Sequence, residues 1–211
     1  QSVLLIDLDP QGNATTGSGV DKTTLGQGVY HVLLGEADIA SAKIRSQAGG
    51  YDLLAANREL AGAEVELVQE IAREMRLKNA LALFADDYDY ILIDCPPTLT
   101  LLTLNGLVAA DGVLVPMVCE YYALEGISDL VATVRKIRTA INAKLGIFGI
   151  VRTLYNNQNR LAQDVSAQLQ EHFGAQLFAT TIPRNVRLAE APSHGLPALA
   201  YDAKAKGTLA Y

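Results

Sequence analysis

The sequence has no tryptophan, two cysteines, two methionines and three histidines, and only 6% of its 211 residues are aromatic. Cys95 and Cys119 show no CxxC spacing, and each sits in or beside an apolar run. They read as reduced, buried thiols rather than metal or redox ligands. His31, His172 and His194 are scattered, in no triad or metal spacing, and carry no assigned chemistry. No run of about 18 apolar residues occurs, which excludes a membrane-spanning helix of the usual kind. The opening QSVLLIDLDP lacks a basic n-region and meets acids at once, so a secretory signal is not expected.

Positive charge is scarce over most of the chain. Residues 1–134 carry 7 Lys and Arg against 19 Asp and Glu, whereas residues 135–211 carry 10 against 4, for a net charge of −6. The total argues against nucleic-acid binding over the whole surface. The basic C-terminal third is either a local polyanion footprint or solvated surface.

A phosphate-gripping loop is missing as well. The nearest approach, Gly17-Ser-Gly-Val-Asp-Lys22-Thr23, puts Asp21 before the lysine, where close backbone approach to phosphate needs glycine. It reads as a surface loop.

What is present is half hydrophobic, enough to bury a core for one α/β domain. Val3–Leu8, Tyr90–Ile93 and Gly112–Val118 are short, non-alternating Val/Ile/Leu runs, the pattern of strands covered on both faces. Leu145–Leu154 and Leu177–Ile182 add two more. Helical spacing appears over Leu60–Phe84, Ser128–Ala143 and Leu161–Phe173, and a short helix is expected at Val29–Leu34. Alternating strands and helices without a linker or repeat predict a single domain, 1–211, with a mostly parallel central sheet and helices on both faces.

Two of these strands end in acids, where open α/β sheets bind ligands. The segment VLLIDLDPQGN ends with Asp7 and Asp9, which share a face if the strand continues. YDYILIDCPP ends with Asp94, in the Walker-B form of an apolar run followed by a carboxylate that holds Mg²⁺. An acid that merely caps the next loop is the competing reading of each. Pro10 stops the strand, Gly12 allows a tight turn, and Pro96-Pro97 stiffens the loop after Asp94.

DLDPQGNAT, ILIDCPPTLTLLTLNGL, CEYYALEG, IPRNVRLAEAPSHG and YDAKAKG, in this order, resemble ParA/Soj chromosome- and plasmid-partitioning ATPases over essentially the whole chain. The resemblance implies a deviant P-loop ATPase fold, ATP and Mg²⁺ as cofactors, and ATP hydrolysis. It also implies an ATP-dependent homodimer on non-specific DNA, a ParB/Spo0J-type partner and a cytoplasmic, nucleoid-associated location without membrane attachment. By position, Asp9 matches the catalytic Asp that orients the attacking water, and Asp94, with Asp9, the acids near Mg²⁺. Pro183 and Asn185 match adenine-contacting residues. Arg187 matches a DNA-contacting residue, and Arg160 stands two positions beyond the usual second one, which aligns with Gln158. The family's first strand and its KGGVGKT loop are absent from these residues, and Thr208–Tyr211 stops inside its last helix. The expectation is therefore a chain truncated at the N-terminus and at the C-terminus. A MinD-like membrane-cycling ATPase, a P-loop-less scaffold and an iron–sulfur relative are the alternatives.

Overall fold

Short runs of Val, Ile and Leu set the strands of the computed structural model, which describes residues 1–211 throughout. The strands are β1 (Val3–Asp7), β2 (Lys43–Ser46), β3 (Tyr51–Leu54), β4 (Tyr90–Asp94), β5 (Gly112–Val118), β6 (Gly146–Tyr155) and β7 (Leu177–Pro183). The helices are α1 (Asn13–Gly17), α2 (Val29–Leu34), α3 (Ile39–Ala42), α4 (Leu60–Glu66), α5 (Arg76–Leu81), α6 (Leu101–Ala109), α7 (Ala123–Ala140), α8 (Arg160–Phe173), α9 (Val186–Glu190), α10 (Ala198–Tyr201) and α11 (Lys206–Ala210). The chain forms two compact units. One is made of Gln1–Ala110 and Glu190–Tyr201, the other of Asp111–Ala189 and Asp202–Tyr211.

The first unit holds a four-stranded sheet of order β2-β3-β1-β4. Central β1 pairs in parallel with β3, Leu5 opposite Leu53, and with β4, Leu5 opposite Leu92; β2 and β3 are antiparallel. Strand periodicity turns Leu4, Ile6 and Leu8 to one side, where they are fully buried with Leu33, Leu60, Leu77 and Leu102 from α2, α4, α5 and α6. Each such side chain contributes about 1.5–3 kcal/mol over an exposed one. The sheet ends on β4, whose outer edge has no strand partner and whose Tyr90 and Leu92 are exposed.

The second unit holds the parallel sheet β5-β6-β7. Val115, Met117 and Ile150 pack with Ile127 of α7 and with Val165 and Leu169 of α8. This sheet ends on β5, again with a free edge and an exposed Leu114.

All five expected strands and the expected short helix Val29–Leu34 are present. The α/β class and the mostly parallel pairing hold, with the strands in two sheets rather than one. The structure adds β2 and β3, which the sequence pattern did not show. It also breaks the helix expected over Leu60–Phe84: α4 stops at Glu66, single 3₁₀ turns follow, and α5 begins at Arg76. The cause is local. Ala72 adopts a left-handed conformation, φ 52°. Buried Asn105 of α6 accepts from Leu77 N at 3.1 Å and donates to Arg73 O at 2.9 Å. It thereby supplies a partner to a helix-start amide that a continuous helix would have bonded internally.

Candidate functional site

The carboxyl ends of β1 and β4 bring three acids together. Asp7 and Asp94 are register partners across the two strands, and Leu8 N donates to Asp94 O at 2.8 Å. Asp7 is fully buried. Its Oδ2 accepts from Thr15 N and from Thr15 Oγ1, both at 2.8 Å, and its Oδ1 accepts from Asp9 N at 3.1 Å. The Thr15 hydroxyl in turn accepts from Ala56 N at 2.9 Å. One carboxylate thus ties the end of β1 to α1 and to the residues after β3. Burial pushes the Asp7 carboxyl up, and its hydrogen bonds only partly oppose that.

Asp9 is half-buried on the loop that leaves β1. Its Oδ1 accepts from Gln11 N at 2.9 Å, and its backbone carbonyl accepts from Gly12 N at 2.8 Å. Gly12 is required there: φ is 62°, and a Cβ would come within 2.7 Å of the Ala56 carbonyl oxygen. Lys22 Nζ donates to Gln11 O, holding the same loop from outside. The segment around Lys22 is a surface turn, as expected. Asp21 Oδ1 accepts from Thr23 N and Oγ1, so that amide is turned to a carboxylate within the turn.

Asp94 lies on the open edge of its sheet, and its carboxyl is pushed up to about 6. Desolvation contributes most, followed by the negative fields of Asp7 and Asp9. No group of three or more His, Cys, Asp or Glu side chains is placed to enclose a metal unaided. The donor set still suits a divalent cation, because a carboxylate pushed up by desolvation and by neighbouring negative charge is relieved by a positive charge beside it. Neighbouring Cys95 is pushed up to about 12, chiefly by burial, and remains a thiol. Its Sγ would lie 2.7 Å from a Cβ on Gly106 of α6, so it is a packing residue, as the sequence implied.

In the second unit, Pro183 ends β7 and Asn185 opens α9. Asn185 Oδ1 accepts from Arg187 N at 2.9 Å, while its amide nitrogen has no protein partner. The Arg187 guanidinium lies 3.7 Å from Asp202 and is half exposed. Arg160 is the exposed first residue of α8, whose N-cap Asn159 accepts from Leu161 N at 3.0 Å. The sequence reading singled out the acids but not Thr15. A threonine eight residues beyond a strand-end Asp is the signal that was available.

A family model described as an AAA domain matches residues 1–147. An uncharacterized protein of Pseudomonas putida is 61% identical over 99% of this chain and 80% of its own length. The sporulation initiation inhibitor protein Soj of Bacillus subtilis is 46% identical over 99% of this chain and 83% of its own length. Among solved structures, cobyrinic acid a,c-diamide synthase from Mycobacterium smegmatis, with bound ATP analog and magnesium, aligns with a TM-score of 0.83. It is 38% identical, over 95% of this chain and 79% of that one. The chain belongs to the ParA/Soj family of partitioning ATPases.

Proposed function

We propose that this chain is the working body of a DNA-segregation ATPase acting as one domain over residues 1–211. It binds Mg-ATP, dimerises on it, holds DNA without sequence preference, and is cycled by a ParB-type centromere-binding partner in the cytoplasm, on the nucleoid. The observation that carries this reading is the placement of Asp94 against Asp7 and Asp9, at the strand ends where such folds bind ligands.

Bound Mg²⁺ would supply charge neutralisation of the phosphates. Asp94 would hold it, directly or through water, with Asp9 close by. Asp9, on a loop that Pro10 stiffens and Gly12 turns, orients the attacking water. Asp7 keeps that loop in place through Thr15. Pro183 and the free amide of Asn185 would take the adenine, and Arg187 and Arg160 the DNA phosphates. The family's KGGVGKT sequence is not among these 211 residues, so its lysines are not contributed by them.

The test is calorimetry of Mg-ATP with this chain and with a chain carrying a KGGVGKT segment ahead of Gln1. The reading expects binding by the extended chain, lost in its Asp94→Ala variant whenever Mg²⁺ is required. An extended chain that fails to bind Mg-ATP overturns it.

A further inference from the structure

The stretch between α4 and α5 buries one apolar row and displays another. Leu60, Ala63 and Leu67 are fully buried, and Leu77 joins them at the start of α5. On the other side, Val65, Val68 and Ile71 are 74%, 50% and 92% exposed. They recur every three residues, along α4, the following 3₁₀ turn and the bend at Ala72. An ordinary amphipathic helix places polar residues there.

The exposed row is presented by a fixed backbone. Asn105 holds Arg73 O and Leu77 N, and Arg73 Nη1 donates to Val68 O at 2.7 Å. The left-handed Ala72 is a strained conformation for a residue with a Cβ, and strain of this kind persists where the surroundings impose it. The helical sequence pattern through this stretch would have carried α4 straight on. The break instead leaves Ile71 at the tip.

The charge around the row is mostly negative. Glu59, Glu64, Glu66, Glu70 and Glu74 fall within residues 59–75, where Arg73 is the single cation. Glu70 meets Arg76 only at 3.7 Å, and Glu66 accepts from the Tyr30 hydroxyl at 2.9 Å. Apolar surface rimmed by charge marks an interaction site, and the sign of the rim selects the partner.

We propose that Val65, Val68 and Ile71 form a docking row for a basic, apolar peptide segment of a partner protein. The partner's Leu, Ile or Val side chains would cover the row, and its Lys or Arg side chains would meet the flanking glutamates. The proposal does not depend on the ATPase reading, because no acid of the strand-end site belongs to it.

The test uses the full-length protein and a fluorescein-labelled peptide of repeating Lys-Leu-Leu-Lys, followed by anisotropy. The expected result is binding that weakens about tenfold or more in the Val68→Asp/Ile71→Asp variant. That change adds negative charge, so attraction by charge alone would tighten the peptide instead. Glu64→Lys/Glu70→Lys should weaken it too, more at low salt than at high salt. Val68→Ser/Ile71→Ser repeats the first test without new charge and touches only exposed side chains. Unchanged or tighter binding in both apolar variants overturns the proposal. So does a change of sedimentation with unaltered peptide binding, which would make the row a contact between copies of this chain.

Discussion

Two acids that face each other in register across β1 and β4 behave differently. Asp7 is buried and saturated with donors, so its work is structural. Asp7→Ala would leave Thr15 N and Asp9 N without a partner and should lower stability by about 2–4 kcal/mol in denaturant melts. Asp94 is pushed up chiefly by desolvation, with the negative fields of Asp7 and Asp9 added to it. Its carboxyl sits at about 6 in the fold against 3.8 when unperturbed, so the fold binds that proton more tightly than the unfolded chain. The stability this gives is complete below pH 3.8 and lost as pH rises through about 6. Asp94→Asn removes the titration. It should melt higher than the parent at neutral pH, with the gap shrinking on acidification toward pH 4. A gap that stays constant with pH would refute the upward shift of the Asp94 carboxyl.

Elements were legible where apolar runs were long enough to speak for themselves. β1, β4, β5, β6 and β7 read directly as buried strands. β2 and β3 did not, because KIRS and YDLL are short and carry the charges of Lys43, Arg45 and Asp52. Those charges are reconciled only across the hairpin. Asp52 accepts from Lys43 at 2.9 Å, Arg45 at 3.0 Å and the Tyr88 hydroxyl at 2.8 Å. Desolvation pushes the Asp52 carboxyl up, but these three partners outweigh it and hold it at about 2. The linkage here has the opposite sign to that of Asp94. Stability is present above pH 3.8 and lost as pH falls through about 2. Asp52→Asn should destabilise the protein by about 1–2 kcal/mol at neutral pH, discounted for partly exposed partners, and by little at pH 2. The broken helix was illegible for another reason: its periodicity is helical, and the break is imposed by a side chain of α6. Asn105→Leu removes that pin. It should cost about 1–3 kcal/mol and speed amide exchange at Leu77, read by mass spectrometry or NMR.

For the whole molecule, the charge asymmetry and the strand-end acids were visible in the residues themselves, while the roles of Pro183, Asn185, Arg187 and Arg160 came only from resemblance. A proline that ends a strand and an asparagine that caps a short helix look alike whether or not a nucleotide binds them. If the basic residues contact DNA phosphates, Arg187→Glu in the full-length protein should abolish ATP-dependent, non-specific DNA binding in mobility shifts without unfolding the protein. Arg160→Ala should weaken it and reduce the dependence on salt by about one phosphate's worth. Normal DNA binding by Arg187→Glu would remove that residue from the interface.

The sheet of the first unit also sets an order in time. β2 and β3 are joined by a four-residue turn, whereas Ser2 meets Asp89, beside the start of β4, across 87 residues of sequence. The hairpin closes a small loop and can form within microseconds, but β1 must find β4 across a long one, at a much larger entropic penalty. Protection from hydrogen exchange during refolding should therefore reach 43–54 before it reaches 90–94. Until β1 arrives, the apolar residues of β4 remain without their partner strand. Refolding yield should consequently fall with protein concentration, while the rate of hairpin formation should not.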